Sequence, residues 1–190
     1  KDINQRMHNK QMVVDGRVAI IGGRNYQDKY FDWQDDYNYR DRDLLIAGPV
    51  CVAMTANFEA FWTDRRSLPA ATLGDVGQIL ITNKGPPAAV AAPRSARAED
   101  MRQAAQDAAA VYARLLPFKL QVGRVDFYAD LPSKHDAAEK SRSDASQAML
   151  DLVGGTQKQL LLQTPYLVLS KPARNLFRWM HRKPDAPQIL

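Results

Sequence analysis

The sequence predicts an α/β fold, because short β-prone runs alternate with segments of helical periodicity along its 190 residues. That length suits one domain of usual size, and 45% apolar content is enough to build a core. Residues 6–14 are β-prone, Asp15-Gly16 is a strong hairpin signal, and residues 17–21 are β-prone again. Residues 26–43 mix Tyr26, Tyr30, Phe31, Trp33, Tyr37 and Tyr39 with Asp28, Asp32, Asp35 and Asp36, and read as a loop over a site mouth. Residues 43–47 read as a buried strand stopped by Gly48-Pro49.

A helix over 51–65 follows from the spacing of Val52, Ala56, Phe58, Ala60 and Trp62, and residues 78–82 read as another short strand. Residues 84–97, rich in Pro and Ala, read as a loop. Residues 99–116 predict one continuous helix, with Met101, Ala104, Ala105, Ala108, Tyr112 and Leu115 on one face and Pro117 as its stop. The charged stretch 130–146, which holds His135, reads as exposed surface with nothing nearby to make a metal site. A helix over 143–153 closes at Gly154-Gly155, residues 159–162 read as a buried strand leading to Thr164-Pro165-Tyr166, and 172–182 form the last helix.

Lys plus Arg number 26 against 21 Asp plus Glu, a formal charge of +5 that favours polyanionic partners such as lipid head groups or nucleic acid. The one cysteine, Cys51, sits in the apolar run 44–56 and reads as core packing, so neither an internal disulfide nor a cysteine-based metal cluster can form. The longest apolar run is broken by Gly48-Pro49 and is too short to span a bilayer. With polar residues 1–5 in place of an initiator Met or signal peptide, the chain reads as an internal piece of a longer protein.

The chemistry-bearing pattern is His8-x-Lys10 followed by Asp15, with Gly22-Gly23-Arg24-Asn25 seven positions after that aspartate. Residues two apart on a strand share a face, so His8 and Lys10 point the same way. A two-residue turn at Asp15-Gly16 sets His8 against Gly23 and Arg6 against Asn25, all on one face; it also sets Ile21 against Lys10, which a bulge or longer loop would relieve. An imidazole serves as nucleophile or acid, an ammonium and an amide hold phosphate oxygens, and a glycine leaves the phosphorus open. Asp15 falls on the other face and reads as a turn residue.

His8-x-Lys10-x4-Asp15 with Gly22-Gly23-x-Asn25 resembles the HKD signature of the phospholipase D superfamily. The segment Tyr39-Arg40-Asp41 to Gly48-Pro49-Val50 and the helix at 56–62 extend the likeness, which is strongest to bacterial cardiolipin synthases of the Gly-Gly-x-Asn type. Gln163-Thr164-Pro165-Tyr166-Leu167-Val168 resembles the strand that opens their second repeat. The resemblance implies a mixed sheet flanked by helices, with residues 1–155 as a nearly complete first repeat plus a connecting helical segment. Residues 156–190 are then the start of a second repeat.

The resemblance further implies a phosphohistidine mechanism without metal or other cofactor. His8 would be the nucleophile, Lys10, Gly23 and Asn25 the phosphate-binding residues, and Asp41 the carboxylate that orients His8, with Asp43 as fallback. Asp15 and Gly22 would be structural members of the motif. It implies a phospholipid substrate, association with a membrane, the bacterial inner membrane in particular, and nucleic acid as the less favoured partner. The family's second signature is absent: His181-Arg182-Lys183 imitates its start, but Gln188 stands where Asp is required. The second half-site is therefore expected from elsewhere in a longer chain or from a homodimer partner, and the 190 residues alone are expected to be inactive. Water or an alcohol can resolve the intermediate, so hydrolysis of phospholipid or nucleic-acid phosphodiesters is the alternative reading. A catalytically silent membrane-binding module is the other. The arginines at 174, 178 and 182 form a stripe opposite Ala173, Leu176, Phe177 and Met180, a pattern shared by membrane-surface helices and by ordinary helices that leave arginines in water.

Overall fold

A computed structural model describes residues 7–83, 85, 95–135, 145–164 and 167–190. Arg6, the proline-rich 86–94, residues 136–144 and Pro165-Tyr166 lie outside the described residues. The architecture is α/β, and the chain forms two compact units: Lys1–Asp64 with Asp126–Leu190, and Arg65–Val125.

The first unit opens with a three-stranded antiparallel meander, β1 (Gln11–Val14), β2 (Val18–Ile21) and β3 (Leu44–Ala47), in that order across the sheet. Asp15 and Gly16 both take positive φ, 52° and 62°, and the Arg17 N–H donates to the Val14 carbonyl at 3.0 Å to close the turn. The first ladder pair is nevertheless Val14 with Val18, which leaves Arg17 as an extra residue and displaces the expected pairing by one. Lys10 lies opposite Gly22, whose N–H donates to the Lys10 carbonyl at 3.4 Å, and by the same count His8 lies opposite Arg24 rather than Gly23. The shift removes the conflict of Ile21 facing Lys10: Ile21 pairs with Gln11 on the packed face.

Gly48, at φ 130°, turns the chain from β3 into α1 (Val50–Trp62). This helix covers one face of the sheet, where Ala19, Cys51 and Met54 are buried with Val13, Ile21, Val50 and Phe127 packed around them. The opposite face, with Met12, Val14, Val18, Ile20 and Leu45, is exposed. Leu44 and Leu45 are 60% and 51% exposed, so β3 is not the buried strand its composition suggested. Later in the same unit, α5 (Ala145–Gly154) packs against α6 (Lys171–His181), with Leu176 close against Gly154. The short β4 (Gln159–Leu160) pairs in parallel with β5 (Gln188–Ile189), and here too Leu161 and Leu162 are exposed, not buried as expected.

The second unit is helical: α2 (Gly74–Thr82), α3 (Ala96–Gln106) and α4 (Ala108–Leu115). The run 78–82 is helix, not strand; among the described residues this unit holds no strand for it to pair with. The single helix expected over 99–116 is broken at Asp107, whose ψ of 87° leaves the helical region and whose carboxylate accepts the Ala110 N–H at 3.0 Å. Aspartate competes with the backbone in a helix interior and is stable at an N-cap, which is the role it takes here. Ser95 likewise caps α3, so residues 96 and 97 belong to that helix and not to the loop expected there.

Candidate active site

Alternation along the chain before β1 sorts its side chains between two tasks. Asn9 donates to the Asn57 amide oxygen at 3.1 Å, and Gln11 donates to the Met54 carbonyl at 3.2 Å, so the odd-numbered residues are tied to α1. Asn57 is itself buried and donates to the Asp130 carbonyl at 3.0 Å, which joins this strand to a segment far along the chain. With Asn9 and Gln11 anchored, His8 and Lys10 are left for the other side. There the Lys10 ammonium lies 3.4 Å from His8 Nδ1 and donates to the His8 carbonyl at 3.1 Å.

His8 and Lys10 line a cavity of about 580 Å³ together with Gly22, Arg24, Asn25 and Asp43. Met7, Met12, Ile20, Tyr26 and Phe31 supply its apolar wall. Gly23 and Asp41 are not among its lining residues. Their placement has a different logic: a side chain at Gly22 would put its Cβ 1.8 Å from the Asp43 carboxylate, and one at Gly23 would put it 2.5 Å from that of Asp41. The two glycines admit two carboxylates. No carboxylate among the described residues hydrogen-bonds the His8 ring.

Arg24, the variable position of the glycine motif, holds the site together. Its guanidinium pairs with the Asp43 carboxylate, donates to the Tyr30 carbonyl, and donates to the Asp41 carbonyl at 3.3 Å. It also lies 5.8 Å from the Phe31 ring centroid. Tyr30 is gripped at its other end, where its hydroxyl accepts from Asn25 Nδ2 at 3.0 Å. The loop 26–43 is thereby fastened to the hairpin through backbone carbonyls, which side-chain identity cannot reveal. Within the loop Tyr39 meets Tyr30 at a tilt, 4.7 Å between centroids, and Tyr37 edge-on, 5.3 Å between centroids, while Tyr26 and Phe31 face the cavity. Asp15 stays at the turn, away from this cluster.

Elsewhere, His181 ends α6 and Lys183 lies over the Trp179 ring, so the His-x-Lys imitation at 181–183 takes no part in the cavity. Cys51 is fully buried in the core.

No family model matches the chain, and no solved structure does. Curated relatives match over part of it. A protein of Helicobacter pylori described as uncharacterized is 45% identical over 71 residues, which cover 37% of this chain and 14% of that protein. Cardiolipin synthase C of Escherichia coli is 36% identical over 74 residues, 39% of this chain and 16% of the enzyme. Cardiolipin synthase A of Pseudomonas putida is 37% identical over 75 residues, 38% of this chain and 16% of the enzyme. The matched stretch is thus a small part of each relative, and over it this chain is related to the cardiolipin synthases.

Proposed function

We propose that this chain contributes one half of a phospholipase D-type active site to a phosphatidyltransferase of the cardiolipin synthase kind. The observation that carries this reading is the convergence of His8, Lys10, Asn25 and a side-chain-free Gly22 on one cavity with a partly apolar wall. In the proposed reaction, His8 Nε2 attacks the phosphorus of a phospholipid phosphodiester, forming an N–P bond as the bond to the leaving alkoxide breaks. Lys10 and Asn25 hold the non-bridging oxygens, where negative charge accumulates. The leaving oxygen takes its proton from a second histidine; the hydroxyl of another phospholipid then attacks phosphorus, giving its proton to that now neutral histidine as the N–P bond breaks and frees His8. Nδ1 of His8 must keep its proton during attack, and Asp41 or Asp43 is the acceptor that would hold it. Asp43 has the advantage of lining the cavity.

The 190 residues contain one His-x-Lys-x4-Asp pattern, so the second histidine has to come from a further segment or a second copy. The chain alone is expected to turn over no phosphodiester; turnover by the purified monomer would contradict the half-site. The deciding experiment incubates the protein carrying both halves with labelled phosphatidylglycerol. Cardiolipin as the product supports transfer, phosphatidate moves the assignment to a hydrolase, and full activity in His8→Ala removes the covalent step.

A further inference from the structure

Helix α6 has two sides of opposite character. At about 100° per residue, Ala173, Leu176, Phe177 and Met180 fall on one side, and that side is already used: Met180 is fully buried and Leu176 packs against Gly154 of α5. On the other side Lys171, Arg174, Arg178 and Arg182 fall within about a quarter of the circumference, and all four are exposed. No acidic residue occurs between 171 and 184, and none of these four is ion-paired among the described residues. At the margin of this basic side Trp179 is 52% exposed with the Lys183 ammonium 3.7 Å from its ring centroid. Just ahead of the helix, Leu167 and Val168 are 62% and 88% exposed. A cleft of about 430 Å³ runs along the same margin, walled by Pro172, Leu176 and Trp179 on one side and by Gln147, Leu150, Asp151 and Gly154 on the other.

We propose that this outer face of α6 is a docking surface for an anionic lipid bilayer. Guanidinium groups at four-residue spacing bind phosphate oxygens through paired N–H donors, and basic residues near a negatively charged leaflet each add to the attraction. Charge alone would serve a nucleic acid equally well. The apolar company decides between them: the exposed indole of Trp179 at the edge of the basic side suits the boundary between head groups and acyl chains. The surface is independent of the chemistry at His8, so it stands or falls separately from the proposed reaction.

Vesicle sedimentation tests it, using phosphatidylcholine vesicles with and without about one third phosphatidylglycerol. The chain should bind only the anionic vesicles and weaken as salt is raised. Arg174→Glu with Arg178→Glu should lower the partition coefficient by at least about tenfold, whereas Arg174→Lys with Arg178→Lys and His8→Ala should retain most of it. Quenching of tryptophan fluorescence by brominated lipid should fall in Trp179→Phe. Undiminished vesicle binding by the double charge reversal, with circular dichroism showing the helix intact, overturns the proposal. Tighter binding of duplex DNA than of anionic vesicles through the same arginines also overturns it.

Discussion

Arg24 sits between Gly23 and Asn25 in sequence, and its guanidinium reaches Asp43, the Tyr30 carbonyl and the Asp41 carbonyl. Its loss frees the loop that holds Asn25, so Arg24→Ala should lower kcat of the proposed transferase more than it raises KM for the proposed lipid substrate. Arg24→Lys keeps the charge but not the fork of donors and should recover only part of the rate. Tyr30→Phe removes one contact to Asn25 and should give a smaller defect of the same kind, measured by the same steady-state kinetics. Gly22→Ala forces a methyl group against the Asp43 carboxylate and should destabilise the protein by about 1–3 kcal/mol in denaturant titration, as overpacking does. Asp43→Ala in the same chain should return part of that stability while breaking the Arg24 pair. His8, Lys10 and Asn25 were legible as a group because strand alternation and motif spacing are local properties. Arg24 and Asn57 were not, since their partners include backbone carbonyls and residues up to 73 positions away.

Among the elements, the opening hairpin was legible because Asp-Gly tolerates the left-handed backbone that the turn requires. Its register was not: one extra residue, Arg17, separates the observed pairing from the simplest count, and a single-residue slip exchanges the two faces of a strand. The run Gln78-Ile79-Leu80-Ile81-Thr82 has strand-like composition yet forms helix, because β propensity needs a neighbouring strand to act on. The core under the sheet is small, so Met54→Ala should cost about 2–5 kcal/mol in denaturant unfolding, a large fraction of the stability of such a unit. In α3, hydrogen bonds from Arg102 and then Gln103 hold the Glu99 carboxyl below its ordinary pKa. A depressed carboxylate stabilises the folded form above its ordinary range and loses that contribution as pH falls through the lowered value. Helicity of α3 should therefore weaken on acidification below the usual glutamate range, and Glu99→Gln should flatten that part of a circular dichroism pH titration.

At the scale of the whole molecule, Lys171, Arg174, Arg178, Arg182 and Lys183 put five positive charges in and just after α6 with no acidic residue among them. Among the described residues no helix is long and apolar enough to cross a membrane. The chain leaves its first unit after Asp64 and returns to it at Asp126, where Phe127 rejoins the core and the Asp130 carbonyl receives Asn57. The helices between those points are a parenthesis in the sequence, and the host sentence reads on without them. Splicing residue 64 to residue 126 through a short glycine–serine bridge should leave a chain that still melts cooperatively, whereas cutting the parent anywhere between residues 7 and 64 should not.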